Sequence, residues 1–204
     1  MSAPPAAPSR REATKQANRA AILAAAREVF ADLGYGAAGV RDIVRGTALA
    51  SGTFYNYFPD KEAVFRALLE ESVAEARALT RAARQAAGSL EDFVAGAYRA
   101  YFGFLAADPQ LFDLVRRNAG TISTQFAEPS FGLSIAELEE DLRAAVAAGT
   151  IPEHDAAYMA AAMVGTAFEV GVRMVQRDPP DVAGATHFAT ELFLGGMGRL
   201  ASRS

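Results

Sequence analysis

No cysteine occurs anywhere in the 204 residues. That excludes disulfides, thiolate metal sites and a cysteine nucleophile, and it fits a reducing cytoplasm. Histidine is scarce: His154 and His187 are the two in the chain. Each falls near an expected helix start, and neither stands at metal-ligand spacing from carboxylates. No glycine-rich loop of the phosphate-cradling kind occurs. No apolar run reaches the length of a membrane span, and the N-terminus lacks the apolar core of a signal peptide. Glu139-Glu140-Asp141 reads as a solvated face rather than paired acids. An enzyme is therefore disfavoured, and no cofactor and no metal is expected.

What is present is apolar bulk and a lopsided charge. Half of the residues are hydrophobic, enough for a substantial core. Residues 1–61 carry eight Lys and Arg against five Asp and Glu, while the rest carries twelve against nineteen. A basic head on an acidic body suggests that one end meets a polyanion.

The chain is organised around residues 40–61, VRDIVRGTALASGTFYNYFPDK. Val40, Ile43 and Val44 share one face of a short helix, about Val40 to Thr47. A turn follows, then a second segment from Ser51 to Phe58, which Pro59 ends. Two short helices joined by a turn of about three to four residues form the helix-turn-helix layout, whose second helix reads the major groove. Thr53, Tyr55, Asn56 and Tyr57 crowd hydrogen-bonding side chains into about one and a half turns. Phe54 and Phe58, four apart, can anchor that segment while the others project outward. Such side chains suit phosphate oxygens and base edges. A surface turn with snorkelling tyrosines would use the same residues.

The run Gly52-Thr53-Phe54-Tyr55-Asn56-Tyr57-Phe58, then Asp60-Lys61-Glu62, resembles the signature of the tetracycline-repressor (TetR) family of bacterial transcription regulators. Upstream, Ile22-Leu23, Ala25-Ala26, Phe30-Ala31, Gly34-Tyr35 and Val40-Arg41-Asp42-Ile43 agree with it. The resemblance covers about Asn18 to Leu69. It implies an all-α fold of about nine helices. An N-terminal three-helix helix-turn-helix DNA-binding domain, residues 12–61, would precede a helical effector-binding and dimerisation domain, residues 62–204. Residues 1–11 form an Ala/Pro/Ser-rich tail expected to be disordered.

Roles follow by resemblance. Arg41, near the start of the first reader helix, reaches a phosphate or a base. Ser51, Gly52 and Thr53 open the recognition helix toward phosphate. Tyr55 is the leading candidate for groove contact, including a thymine methyl. Asn56 and Tyr57 bind backbone phosphates. Lys61 lies in the first turn of the next helix, where the macrodipole disfavours a cation, and a phosphate there would remove that conflict. Two positions depart from the family. Gly39 stands where Ser or Thr often caps the first reader helix. Ala50 removes the usual cap of the second, so Ser51 is expected to take over and start that helix one residue late.

A long helix runs from Asp60 to about Ala87, and another from Leu90 to Ala107, apolar on more than one side, with Ser89 as its cap. Pro109 opens a shorter helix that Arg116-Arg117-Asn118 closes. Ala119 to Leu133 reads as an irregular loop, a possible gate over a pocket. An amphipathic helix, Ser134 to Gly149, follows. Aromatic residues Phe93, Tyr98, Tyr101, Phe102, Phe112, Phe126 and Phe168 are candidates to line a pocket for a mainly apolar or aromatic small molecule with one or two polar anchors. The last two helices, about 153–177 and 181–200, hold glycines at Gly165, Gly171, Gly195, Gly196 and Gly198. Interior glycine costs a helix about 1 kcal/mol, tolerated where backbones approach closely. That approach can lie inside one subunit, or between two, since family members dimerise through these helices.

The whole reading is a cytoplasmic, dimeric, ligand-responsive regulator, a repressor. Each dimer binds a near-palindromic double-stranded DNA operator, and a small effector releases it. An effector-free DNA-binding module of the same fold is the alternative.

Overall fold

The computed structural model describes residues 9–109, 129–151 and 153–200. Among these residues it is all helical, with eight helices against the nine or so expected. The Pro109 helix with Arg116-Arg117-Asn118, and most of the Ala119–Leu133 loop, lie outside the described residues.

The first helix, α1, is Arg10–Leu33. Ser9 and Glu12 close a capping box: the Glu12 amide donates to Ser9 Oγ at 3.3 Å and the Ser9 amide to Glu12 Oε2 at 2.9 Å. The helix therefore takes in Arg10 and Arg11, the last two residues of the expected 1–11 tail. Ile22, Leu23, Ala25, Ala26 and Phe30 form its buried face. Gly34 ends it with φ 77°, a left-handed conformation that favours glycine, and its amide donates to the Phe30 carbonyl at 3.0 Å.

Next come α2, Val40–Arg45, α3, Ser51–Tyr55, and the long α4, Lys61–Gln85. Helices α1, α2 and α4 each bring fully buried side chains: Ile22 and Phe30, Ile43, and Val64 and Phe65. Phe30 meets Phe65 edge-on at 5.6 Å. The chain divides into two compact units, and the boundary falls between Glu71 and Ser72, within α4.

In the second unit, α5 is Leu90–Ala107, capped by Ser89, whose Oγ accepts from the Asp92 amide at 3.1 Å. Helix α6 is Pro129–Ala147, α7 is Ala156–Val175 and α8 is Val182–Leu200. Pro129 falls within the expected irregular loop of Ala119 to Leu133. It opens α6 instead, since the first helical position needs no amide hydrogen and suits proline's fixed φ. Helix α5 packs against α7 and α8, and α6 against α7. Gly171 permits the closest of these approaches, because a Cβ there would stand 2.6 Å from Leu105 Cδ1.

The C-terminal half of α4 is tied to α6 by ion pairs. Arg77 binds Glu137 with two nitrogens, Nε lying 3.0 Å from Oε2, and Arg84 Nε sits 2.7 Å from Asp141 Oδ2. The Arg77 hydrogen bond holds the Glu137 carboxyl below its ordinary range.

Candidate nucleic-acid interface

The reader is built on two buried phenylalanines. Phe54 is 0% and Phe58 6% exposed, with ring centroids 6.2 Å apart. Their burial turns the residues between and before them outward. Tyr55 is 58% exposed, its ring set edge-on to Phe54 at 5.4 Å. Arg41, Ser51, Gly52 and Asn56 are exposed, and Thr53, Tyr57 and Lys61 are half-buried. None of the eight lies in the interior.

The caps differ from the expected ones. Gly39 caps α2 with backbone alone, its amide donating to Asp42 Oδ2 at 3.0 Å. Helix α2 stops at Arg45 rather than Thr47 because Thr47 closes it: its hydroxyl donates to the Val44 carbonyl at 2.8 Å and accepts from the Leu49 amide at 3.2 Å. That one side chain braces the turn between the two reader helices. Ser51 does not take over as the cap of α3. Ala50 holds the cap position with no side-chain bond, and Ser51 is the first helical residue. The main chain is enough, since the Thr53 amide donates to the Ala50 carbonyl at 2.8 Å. Regular α-helix ends at Tyr55, and the Tyr57 and Phe58 amides both reach back to the Phe54 carbonyl, at 2.9 and 3.1 Å.

Two residues of α1 back this segment. Asn18 Nδ2 donates to the Tyr57 hydroxyl at 3.1 Å. The tyrosine oxygen acts as acceptor, which leaves its own O–H to donate elsewhere. The Arg19 guanidinium lies 5.7 Å from the centre of the Phe58 ring and pairs with Glu71. Asn18 and Tyr57 are 39 residues apart, so no local pattern marks the contact. Lys61 opens α4 beside Asp60, whose Oδ1 accepts from the Ala63 amide at 2.7 Å. Its ammonium turns back on the loop after α1: it donates to the carbonyls of Tyr35 at 2.9 Å, Ala38 at 3.0 Å and Gly36 at 3.4 Å.

The aromatic candidates of the second unit divide. Phe93, Tyr98, Tyr101 and Phe102 of α5 belong to its core, with Tyr98 stacked on Phe102 at 5.6 Å and on Phe193 at 6.0 Å. The Tyr98 hydroxyl donates to the Met163 carbonyl at 3.2 Å. Burial pushes the Tyr101 hydroxyl up to about 12. Phe168 stands apart, 39% exposed on α7, because its helical register turns it away from the buried Met163–Gly171 side. Phe112 and Phe126 lie outside the described residues. Sequence reading missed Thr186 and Thr190, whose side-chain oxygens are buried with no hydrogen-bond partner among the described residues.

Two short helices joined by a braced turn, buried through one face and polar on the other, define a helix-turn-helix protein. Residues 22–68 match the family model of the bacterial regulatory proteins of the TetR family. The chain is 38% identical over 66 residues to the HTH-type transcriptional regulator UidR of Escherichia coli K12. That match covers 32% of this chain and 33% of UidR, about a third of its length. In architecture it is similar to the fatty acid degradation regulator FadR of Bacillus halodurans, with a TM-score of 0.76 and 27% identity. The match covers 88% of this chain and 95% of that one. FadR of Bacillus subtilis, solved in complex with stearoyl-CoA, shares the fold with a TM-score of 0.67 and 23% identity, over 85% and 96% of the two chains. Residues 22–68 thus carry the TetR-family match, and the chain spans about a third of the length of the curated relative it matches.

Proposed function

We propose that the protein is a dimeric transcriptional repressor that binds a near-palindromic operator through α2 and α3 and is released by a small, mainly apolar molecule. The observation that carries the DNA-binding part is the outward set of Arg41, Ser51, Gly52, Thr53, Tyr55 and Asn56 above the buried Phe54 and Phe58. Hydroxyls, an amide and a guanidinium on a short exposed helix pair meet phosphates and base edges. Tyr57 adds the hydroxyl proton that Asn18 leaves free. Selection from random duplexes with the purified protein tests this. Enrichment of an inverted repeat is the expected result, and the absence of any enriched sequence contradicts it.

Dimerisation is supported by an exposed apolar stripe. On α7, Tyr158 is 78% and Phe168 39% exposed; on α8, Phe188 is 58% and Leu192 52%. Between and beyond them Gly165, Gly195 and Gly196 have open space where a Cβ would be, unlike Gly171. Large apolar side chains interleaved with bare backbone suit a second copy of the same helices.

The effector part rests on the second-unit core. Thr186 and Thr190 are 6% and 5% exposed, one helical turn apart on α8. A buried unpaired hydroxyl costs about 1–3 kcal/mol. A ligand with an apolar body and one polar group would give these hydroxyls partners, whereas an effector-free module would leave them unpaired in every state. FadR of Bacillus subtilis, which shares the fold, was solved in complex with stearoyl-CoA, and this supports an effector with an apolar body. Thr190→Val is expected to raise the thermal midpoint of the ligand-free protein, by about 1 kcal/mol of stability or more. A fall in the midpoint by scanning calorimetry would mean that the hydroxyl has a partner.

A further inference from the structure

By resemblance Lys61 belongs with the DNA contacts. Its surroundings assign it otherwise, taking the DNA-binding reading above as given. An ammonium has three N–H donors and no more. Carbonyl oxygens of Tyr35, Gly36 and Ala38 stand at 2.9, 3.4 and 3.0 Å from Nζ. The Tyr35 ring lies beneath it, 4.8 Å from Nζ to centroid. Every donor has an acceptor, and a phosphate would have to displace one of them. The same carbonyls answer the conflict between a cation and the start of a helix, because they supply the negative partial charge.

We infer that Lys61 is a positioning residue: it clamps the loop between α1 and α2 onto the first turn of α4, and so sets where the reader begins, without touching the duplex. The clamped loop ends at Ala38, 2% exposed, one residue before Gly39 caps α2. A second grip comes from the next residue along. The Tyr35 hydroxyl donates to Glu62 Oε1 at 3.2 Å, and its ring packs on Phe65 at 4.6 Å and Phe30 at 5.5 Å. Burial, and after it the Glu62 charge, push that hydroxyl up to about 12, so it remains a donor at neutral pH. Lys61 and Glu62 thus hold one loop from its backbone and its side chain together.

Lys61→Met keeps the apolar stem and removes the donors. Lys61→Arg keeps the charge, but a planar fork does not place three N–H groups on three converging carbonyls. The measurements are affinity for the selected duplex across salt and amide hydrogen exchange at residues 38–43. Both variants are expected to lose about tenfold in affinity, the scale of one charge-assisted hydrogen bond. Both should exchange faster at residues 38–43, and the salt slope of Lys61→Met should equal that of the native chain. The inference is overturned if Lys61→Met lowers the slope by about 1.8, the signature of one lost phosphate contact in each subunit of the dimer, with exchange unchanged. It is equally overturned if Lys61→Arg behaves as the native chain, or if Lys61→Met changes nothing. Should Lys61→Met not fold, Lys61→Arg decides by the same readouts. If the native chain binds no duplex, the DNA reading has failed, and exchange at residues 38–43 still decides the clamp.

Discussion

Replacing Phe188 and Leu192 together with glutamate is expected to give a folded monomer that no longer holds an operator at concentrations where the native chain does. Both side chains point to solvent, 58% and 52% exposed, while their neighbours Ala185, Ala189 and Phe193 face the core. The subunit fold should therefore tolerate the change, with its helical circular dichroism intact. A two-fold interface would not, since each glutamate enters it twice and must be desolvated without a partner. Sedimentation should give the 21.5 kDa of one chain. Two linked readers bind more tightly than one by about a hundredfold or more, and operator affinity should fall by that order. A variant that remains dimeric, or a monomer that binds as tightly as the native protein, contradicts the proposed interface.

The second large effect is expected at Tyr55. With 58% of its surface exposed, its loss should leave the thermal midpoint nearly unchanged. It is the longest exposed side chain of α3, and in the proposed complex it enters the groove. One good groove contact contributes about 1–3 kcal/mol, and a dimer uses it twice. Tyr55→Ala should therefore weaken operator binding by about tenfold for each 1.4 kcal/mol lost, a hundredfold or so in total. The salt slope should stay put, because no charge is removed. Tyr55→Phe separates the two ways the ring can act: retained affinity points to methyl or base contact, and lost affinity to the hydroxyl. Unchanged binding by Tyr55→Ala would remove Tyr55 from the interface.

Much of the fold is legible because its punctuation is local. Gly34 stops α1, and Ser89 with Asp108-Pro109 brackets α5 at the observed Leu90–Ala107, whereas α3 ends at Tyr55, short of the Phe58 that Pro59 implies. The anchoring of α3 follows from Phe54 and Phe58 standing four apart. Where local rules have two meanings, the reading slips: Pro129 breaks a helix or begins one, and here it begins one. Glycine in the last two helices has the same ambiguity. Composition cannot say which way each one faces; rotation about the helix turns Gly171 inward onto Leu105 and leaves Gly165, Gly195 and Gly196 open.

Contacts between distant residues leave no mark in the sequence at all. The three carbonyls around Lys61 belong to whatever residues stand in that loop, since every residue offers one. Asn18 meets Tyr57 across 39 positions. The unpaired hydroxyls of Thr186 and Thr190 stand out only once their surroundings are known to be apolar.

Protection of guanine N7 in the selected duplex, mapped base by base with the native protein, tests the DNA-reading dimer most directly. Two protected major-groove patches on one face of the duplex, about 10 base pairs or a multiple apart, are expected, both vanishing with Tyr55→Ala. A single unbroken footprint, or two patches that persist without Tyr55, would contradict a two-fold reader that works through α3.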